Sequence, residues 1–160
     1  MRRDSRGFSL IELLIVVAII LIIAAIAIPN LLRSRIAANQ ASAVGSIRTI
    51  NTAEITYAST YNAGYSAALT DLQPPAGTAN PTATAAGLID SVLANGSKSG
   101  YSFVYASVAG AGGRRDTYTL NANPSTAGTT GTNFYFADQS GVIRQNSTAA
   151  ASSADSPLAG

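Results

Sequence analysis

An uninterrupted apolar block lies near the start of the chain. Residues 13–28 include no charged side chain, and the wider stretch 8–28 contains a single carboxylate, Glu12. As an α-helix the wider stretch would be about 31 Å long, which matches the hydrocarbon thickness of a bilayer. The pattern therefore predicts a membrane-spanning helix.

The hydrophobic pattern changes after Pro29 without losing its helical period. Residues that recur at spacings of three and four are Ile36, Gln40, Val44, Ile47, Ile50, Glu54, Tyr57 and Tyr61. This period is typical of a helix with one face buried against a globular head. Asn62-Ala63-Gly64 is a typical helix stop, so the helix is predicted to run from Phe8 to about Asn62.

Alternating apolar and polar positions in the second half predict four strands, at residues 101–108, 117–122, 133–136 and 142–145. Residues 139–141 predict a hairpin loop, and residues 86–94 a short helix or turn. The expected fold is α+β, with the long helix packed on a small antiparallel sheet. The Ser/Ala-rich residues 147–160 are predicted to be a flexible tail.

The charge balance gives no sign of a nucleic-acid partner. The chain has 10 Lys and Arg against 8 Asp and Glu, a formal net charge of +2. Arg2, Arg3 and Arg6 precede the apolar block, and the charges that follow them balance. No basic surface is therefore expected on the head.

The chain contains neither Cys nor His. This excludes disulfides, thiol nucleophiles and Ser-His triads, and it removes the side chains that make most zinc sites. Asp116, Asp138 and Asp155 are too dispersed to resemble a calcium loop. The sequence argues against an enzyme, and no catalytic residue, cofactor or metal site is predicted.

A short basic leader and the sequence GFSLIELL at residues 7–14 resemble the processing site of type IV prepilins and type II secretion pseudopilins. The resemblance implies that a prepilin peptidase cleaves between Gly7 and Phe8 and that the new Phe8 amine is methylated. The apolar block is then kept. The alternative is a secretory signal cut near Ala25-Ile26-Ala27, but its apolar region would be unusually long and would contain Glu12.

Glu12 is a carboxylate inside the predicted span, which costs about 2.5–3.5 kcal/mol near the midplane and marks a functional residue by default. The positive end of the helix and the freed Phe8 amine are candidate partners. The resemblance implies that Glu12 of one subunit neutralises the Phe8 amine of its neighbour during assembly. In the alternative interpretation, lipid headgroups solvate Glu12 at the membrane interface.

Pro29 lacks the amide hydrogen that a helix interior needs, so it is expected to kink the helix or merely to mark the end of the membrane segment. Tyr57, Tyr61 and Tyr65 recur every four residues, and packing between helix and sheet is favoured over an adhesive or conducting stripe. The predicted parts are a leader at 1–7, a transmembrane and polymerisation helix at 8–29, its amphipathic continuation at 30–62, a head at 63–146 and the tail at 147–160.

The resemblance implies a structural subunit of a type IV pilus, inserted in the cytoplasmic membrane as a precursor and then moved into a surface filament. A minor pilin, a periplasm-spanning pseudopilin and a signal-anchored domain that never polymerises are the alternatives. The implied partners are copies of the chain itself, the prepilin peptidase, a membrane platform protein, assembly ATPases and, before assembly, the lipid bilayer. Many pilins close their C-terminal region with a disulfide, and this chain departs from that pattern.

Overall fold

A computed structural model describes residues 8–110 and 112–158. The chain divides after Arg35 into two units, which are described separately below. Helix α1, Leu10–Tyr61, contains residues of both units.

The first unit is helical from Leu10 onward, and nearly all of its side chains are exposed. Ile11 is 66% exposed, Leu21 63% and Ile26 65%. Such continuous apolar exposure is unusual for a protein surface in water, and it marks a surface that lipid or another protein covers.

The second unit combines the rest of α1 with a small sheet. The shorter elements are a 3₁₀ turn Leu69–Leu72, α2 Ser91–Ala94, β1 Ser97–Lys98, β2 Tyr101–Ala109, β3 Arg115–Pro124, β4 Phe134–Asp138 and β5 Arg144–Asn146. The strands form one antiparallel sheet in the order β1-β2-β3-β4-β5. The predicted α+β class is confirmed.

The core lies between α1 and one face of the sheet. The helix contributes Ile47, Ile50 and Tyr57, and the sheet contributes Tyr101 and Leu120, all of them 5% exposed or less. The helical residues are spaced by three and seven, so they share one side of the helix. Fully burying one such side chain stabilises the fold by about 1.5–3 kcal/mol.

The four predicted strands all exist, although their bounds shift. β3 extends beyond the predicted 117–122 at both ends because β2 offers it partners as far as Arg115 and Pro124. The last strand begins at Arg144, not at residue 142, because Gly141 has a φ of 74° and the chain turns there. β1 was not predicted, since two residues carry no alternating pattern.

The connection after α1 is a tight turn, and the predicted helix stop is confirmed. Asn62 and Gly64 have φ values of 53° and 78°. The Tyr65 amide donates to the Arg115 carbonyl at 2.8 Å, and the Arg115 amide donates to the Ala63 carbonyl at 3.1 Å. A Cβ at Gly64 would collide with the carbonyl oxygen of Arg115. Only glycine therefore fits this turn.

Residues 147–158, predicted as a flexible tail, make hydrogen bonds with β5 and with the residue before it. The Gln145 amide donates to the Ser156 carbonyl at 3.1 Å, and the Leu158 amide donates to the Ile143 carbonyl at 2.7 Å. The side chain of Asp155 is bound as well, because it accepts from Asn146 Nδ2 at 2.8 Å. The composition of residues 147–158 predicted disorder because it contains no information on the hydrogen-bond partners that β5 and Ile143 supply.

The tail also covers the outer face of the sheet. Asn121 and Phe136 are cross-strand partners, so their side chains lie on one face. Asn121 Nδ2 donates to the Ala151 carbonyl at 2.8 Å. Phe136 and Ala151 are 7% and 4% exposed, yet neither belongs to the main core cluster. Phe136 and Ala151 are thus buried outside the main core.

Candidate functional site

The first turn of α1 is fixed by a hydrogen bond to Glu12. The Ser9 amide donates to Glu12 Oε2 at 2.9 Å, and the Ser9 carbonyl accepts the first helical bond from the Leu13 amide at 3.2 Å. Ser9 is therefore the N-cap residue and Glu12 is the third helical residue, which is the reciprocal half of a capping box. A carboxylate at this position also interacts favourably with the positive end of the helix.

Phe8 lies immediately before this cap, and its side chain is 75% exposed. The predicted cleavage site joins Phe8 to Gly7, and Gly7 lies outside the described residues. The structure therefore brings Phe8 and Glu12 to the same helix end. Whether the bond at Gly7 is cleaved, and whether the Phe8 amine is methylated, remain predictions.

Glu12 keeps hydrogen-bonding capacity for a further partner. Oε2 accepts from Ser9, whereas Oε1 accepts no hydrogen bond from the described residues. A carboxylate oxygen offers two acceptor positions, so the side chain can cap its own helix and bind a cation at the same time. The intramolecular and intersubunit roles of Glu12 are thus compatible.

The helix behind this cap contains a stretch long and apolar enough to cross a membrane, by length and composition, in the described part of the chain. None of that stretch is buried inside the protein. The predicted span at residues 8–28 therefore has no covering from its own chain in residues 8–110 and 112–158.

Pro29 lies inside α1, and helical residues continue on both of its sides. The proline does not end the helix. Because it has no amide hydrogen, the carbonyl of Ala25 lacks the usual donor four residues later. Pro29 therefore marks a weak point in the helical hydrogen bonding, while a kink at this position remains a prediction.

Tyr57, Tyr61 and Tyr65 belong to the packing of the head, as expected. Tyr57 is 5% exposed, and the other two are partly buried against the core. The ring centroids of Tyr57 and Tyr61 are 4.8 Å apart, and Tyr65 packs edge-on against Tyr118 at 4.8 Å. Packing against the sheet explains the spacing of four residues.

The sequence analysis placed one acidic residue on the buried face of α1 without giving it a role. Glu54 falls on the apolar face of α1, and it is fully buried. The signal was present in the sequence, because an acid stood in a row of core positions.

In the described residues, no group of three or more His, Cys, Asp or Glu side chains could hold a metal ion.

Comparisons with known proteins point to one class. Residues 2–28 match the family described as the prokaryotic N-terminal methylation motif. The chain is 65% identical over 37 residues to the type IV wide pilus major component of Thermus thermophilus, which is 23% of this chain and 28% of that protein. It is 50% identical over 50 residues to the type IV major pilin of Myxococcus xanthus, or 31% of this chain and 23% of that pilin.

These matches span less than a third of either relative. No solved structure matches the chain. The chain therefore matches the prokaryotic N-terminal methylation motif, and over part of its length it is similar to type IV major pilins.

Proposed function

We propose that this chain is a structural subunit of a type IV pilus, polymerised through its N-terminal helix. The observation that carries the proposal is the exposure of the apolar residues 10–28, which lie within the matched methylation motif at residues 2–28. An apolar helix that leaves lipid must be covered, and identical helices are the cover that a homopolymer supplies. Catalysis plays no part in this role.

The maturation steps follow from the motif. Hydrolysis of the bond between Gly7 and Phe8 frees the Phe8 amine, and methylation of that nitrogen follows. The precursor is anchored in the cytoplasmic membrane by residues 8–29, and residues 30–62 continue the helix into the head. A prepilin peptidase, a platform protein and assembly ATPases are its partners, and the surface filament is its destination.

Within this proposal Glu12 has two tasks. Its Oε2 caps the helix through the Ser9 amide, and its charge neutralises the Phe8 amine of a neighbouring subunit. Removing one member of a buried ion pair typically costs about 3–5 kcal/mol. A register between subunits that leaves either charge unpaired is therefore unstable relative to the register that pairs them. Pro29 supplies a weak point at which the helix can yield during assembly.

Two substitutions of Glu12 separate these tasks. Glu12→Gln retains an oxygen that can accept from the Ser9 amide but removes the charge, whereas Glu12→Ala removes both. We expect both variants to insert and to be cleaved, and both to give few filaments, measured by electron microscopy and immunoblotting of the sheared surface fraction. Ser9→Ala is the matched control, since it keeps the backbone amide that binds Glu12.

Normal filament yield from Glu12→Gln would show that capping, not charge, is the task of Glu12. Filaments that lack this chain, with the chain retained in the cell envelope of a secreting strain, would favour the pseudopilin alternative.

A further inference from the structure

Glu54 is an acid buried in the middle of the core. Its side chain and that of Ser66 are both 0% exposed. Glu54 lies on α1, between the core residues Ile50 and Tyr57. Transfer of an ionised carboxylate from water into such surroundings is costly unless a cation or several hydrogen bonds compensate it.

Hydrogen bonds to Ser66 hold the carboxyl group. The Ser66 amide donates to Glu54 Oε2 at 2.9 Å, and Ser66 Oγ lies 2.6 Å from Glu54 Oε1. The ion pairs within residues 8–110 and 112–158 are Lys98–Asp90 and Arg114–Asp116, so neither involves Glu54. The titratable groups around it are Tyr57 of α1, Asp71 of the 3₁₀ turn, Tyr105 of β2 and Tyr118 of β3.

The network continues from Ser66 into β2. Tyr105 Oη donates to the Ser66 carbonyl at 3.0 Å, and Ser107 Oγ donates to the same carbonyl at 2.7 Å. Ser66 Oγ also lies 3.3 Å from Tyr105 Oη. All the polar atoms of Ser66 are thus engaged, and they connect α1 with the sheet.

A count of protons favours a neutral Glu54. Three oxygen pairs are in contact: Glu54 Oε1 with Ser66 Oγ at 2.6 Å, Ser66 Oγ with Tyr105 Oη at 3.3 Å, and Tyr105 Oη with the Ser66 carbonyl at 3.0 Å. Each bond needs one proton, and the hydroxyls of Ser66 and Tyr105 supply two. A proton on Glu54 Oε1 supplies the third, because Glu54 then donates to Ser66, Ser66 to Tyr105 and Tyr105 to the carbonyl.

We infer that Glu54 is protonated in the folded head and acts as a pH-sensitive latch between α1 and the segment 62–68. Loss of the proton leaves one contact without a hydrogen and places a charge in the core. The other side of the segment is held by Gly64 and Tyr65 against Arg115, through backbone bonds that do not titrate. A rise in pH therefore weakens the helix side of the segment first.

The electrostatics agree with the geometry. Burial raises the pKa of Glu54 above its ordinary value of 4.5, the hydrogen bonds from Ser66 and the contact with Tyr105 oppose this, and the negative charge of Asp71 adds to it. A group whose pKa is raised by folding contributes its stability fully below pH 4.5 and loses it as the pH rises through the folded pKa.

The test is a pH series of unfolding on the full chain in detergent micelles, comparing the wild type with Glu54→Gln. Glutamine has the shape of the protonated acid, since its oxygen can accept from the Ser66 amide and its nitrogen can donate to Ser66 Oγ. For the wild type, the folded-to-unfolded ratio should fall up to about tenfold per pH unit between 4.5 and the folded pKa of Glu54, relative to the variant. Parallel pH profiles for the two proteins would overturn the inference.

Asp71→Asn is the matched variant. It removes the nearby charge and keeps a side-chain oxygen that can accept from the Ala67 and Ala68 amides, which Asp71 Oδ2 binds at 3.0 and 3.1 Å. The same loss of stability should therefore occur over a narrower pH range that ends at a lower pH. A profile for Asp71→Asn as flat as that of Glu54→Gln would assign the pH dependence to Asp71 and overturn the inference.

A second measurement does not need a folded variant of Glu54. The chain contains two glutamates, Glu12 and Glu54. Labelling with ¹³C-carboxyl glutamate therefore gives two signals, and Glu12→Gln assigns them. The Glu54 signal should titrate with a midpoint above 4.5. A midpoint at or below that value would overturn the inference.

Discussion

At the scale of single residues, the two glutamates of α1 show how position in one helix decides chemistry. Glu12 lies in the first turn, where its carboxyl group accepts a hydrogen bond from the Ser9 amide. Glu54 lies about twelve turns further along, buried against the sheet, where burial favours the neutral acid. The same type of side chain is therefore exposed at one end of the helix and buried in the core near the other.

Glycine provides a second test at this scale, because Gly64 and Gly45 have opposite requirements. Gly64→Ala must place a Cβ at a φ of 78° and against the Arg115 carbonyl. The left-handed conformation alone costs about 1–2 kcal/mol, and the collision adds to it. We expect the head of Gly64→Ala to lose at least about 2 kcal/mol of its free energy of unfolding, measured by chemical denaturation.

Gly45→Ala is the control for that experiment. Gly45 lies in α1 and has no atom within 4 Å of an added Cβ. Alanine is preferred over glycine inside a helix by about 0.5–1 kcal/mol, so this variant should be more stable than the wild type. Equal effects from both substitutions would contradict the assigned geometry of the turn at Gly64.

At the scale of elements, we expect the hydrogen bonds of Asp155 to hold the tail, residues 147–158, against the sheet. Asp155 accepts from the Ser152 amide and hydroxyl at 2.7 and 2.9 Å and from Asn146. Asp155→Ala should release residues 147–158 and expose Phe136, which is detectable as faster hydrogen exchange and proteolysis in the tail. Ser153→Ala, at an exposed neighbouring position, is the matched control and should leave both rates unchanged.

The same contact predicts a response to acid. The hydrogen bonds from Ser152 lower the pKa of Asp155 below its ordinary value of 3.8. Its contribution is therefore present above pH 3.8 and is lost as the pH falls through the folded pKa. Acid should loosen the tail, whereas a rise in pH should loosen the Glu54 latch.

The elements differ in how far the sequence could predict them. The sequence predicts α1 from the spacing of its apolar residues and β2 to β5 from their alternation, because each of these burial patterns lies within its own element. The strand bounds, β1 and the tail depend on partners elsewhere in the chain, such as Asn121 for Ala151 and Ile143 for Leu158. No pattern within residues 147–158 encodes those partners.

The candidate site shows the same division. The cap at Ser9 and Glu12 is a local motif, so its residues could be named from the sequence. The Glu54 network is not local. It links Glu54 to Ser66, which is 12 positions away in the sequence, and through Ser66 to Tyr105, which is 51 positions from Glu54. Periodicity placed Glu54 on the buried face of α1, but only the fold identifies what it meets there.

At the scale of the whole molecule, maturation gives a prediction that one mass spectrum can test. If the chain is processed as proposed, the mature protein begins at Phe8 with a methylated amine and retains residues 8–28. Top-down mass spectrometry of sheared filaments should find this species. A secreted form that begins after Ala27 would instead indicate an ordinary signal peptide and would contradict polymerisation through the helix.

The order of the sheet has a consequence for how the head acquires its structure. Because each strand pairs with the next one along the chain, every pairing step closes only a short loop. Folding rates fall as the mean sequence separation of contacts grows, so such a meander favours rapid hairpin-by-hairpin growth. If the precursor spans the membrane as proposed, a head built this way can assemble in chain order as it emerges on the far side.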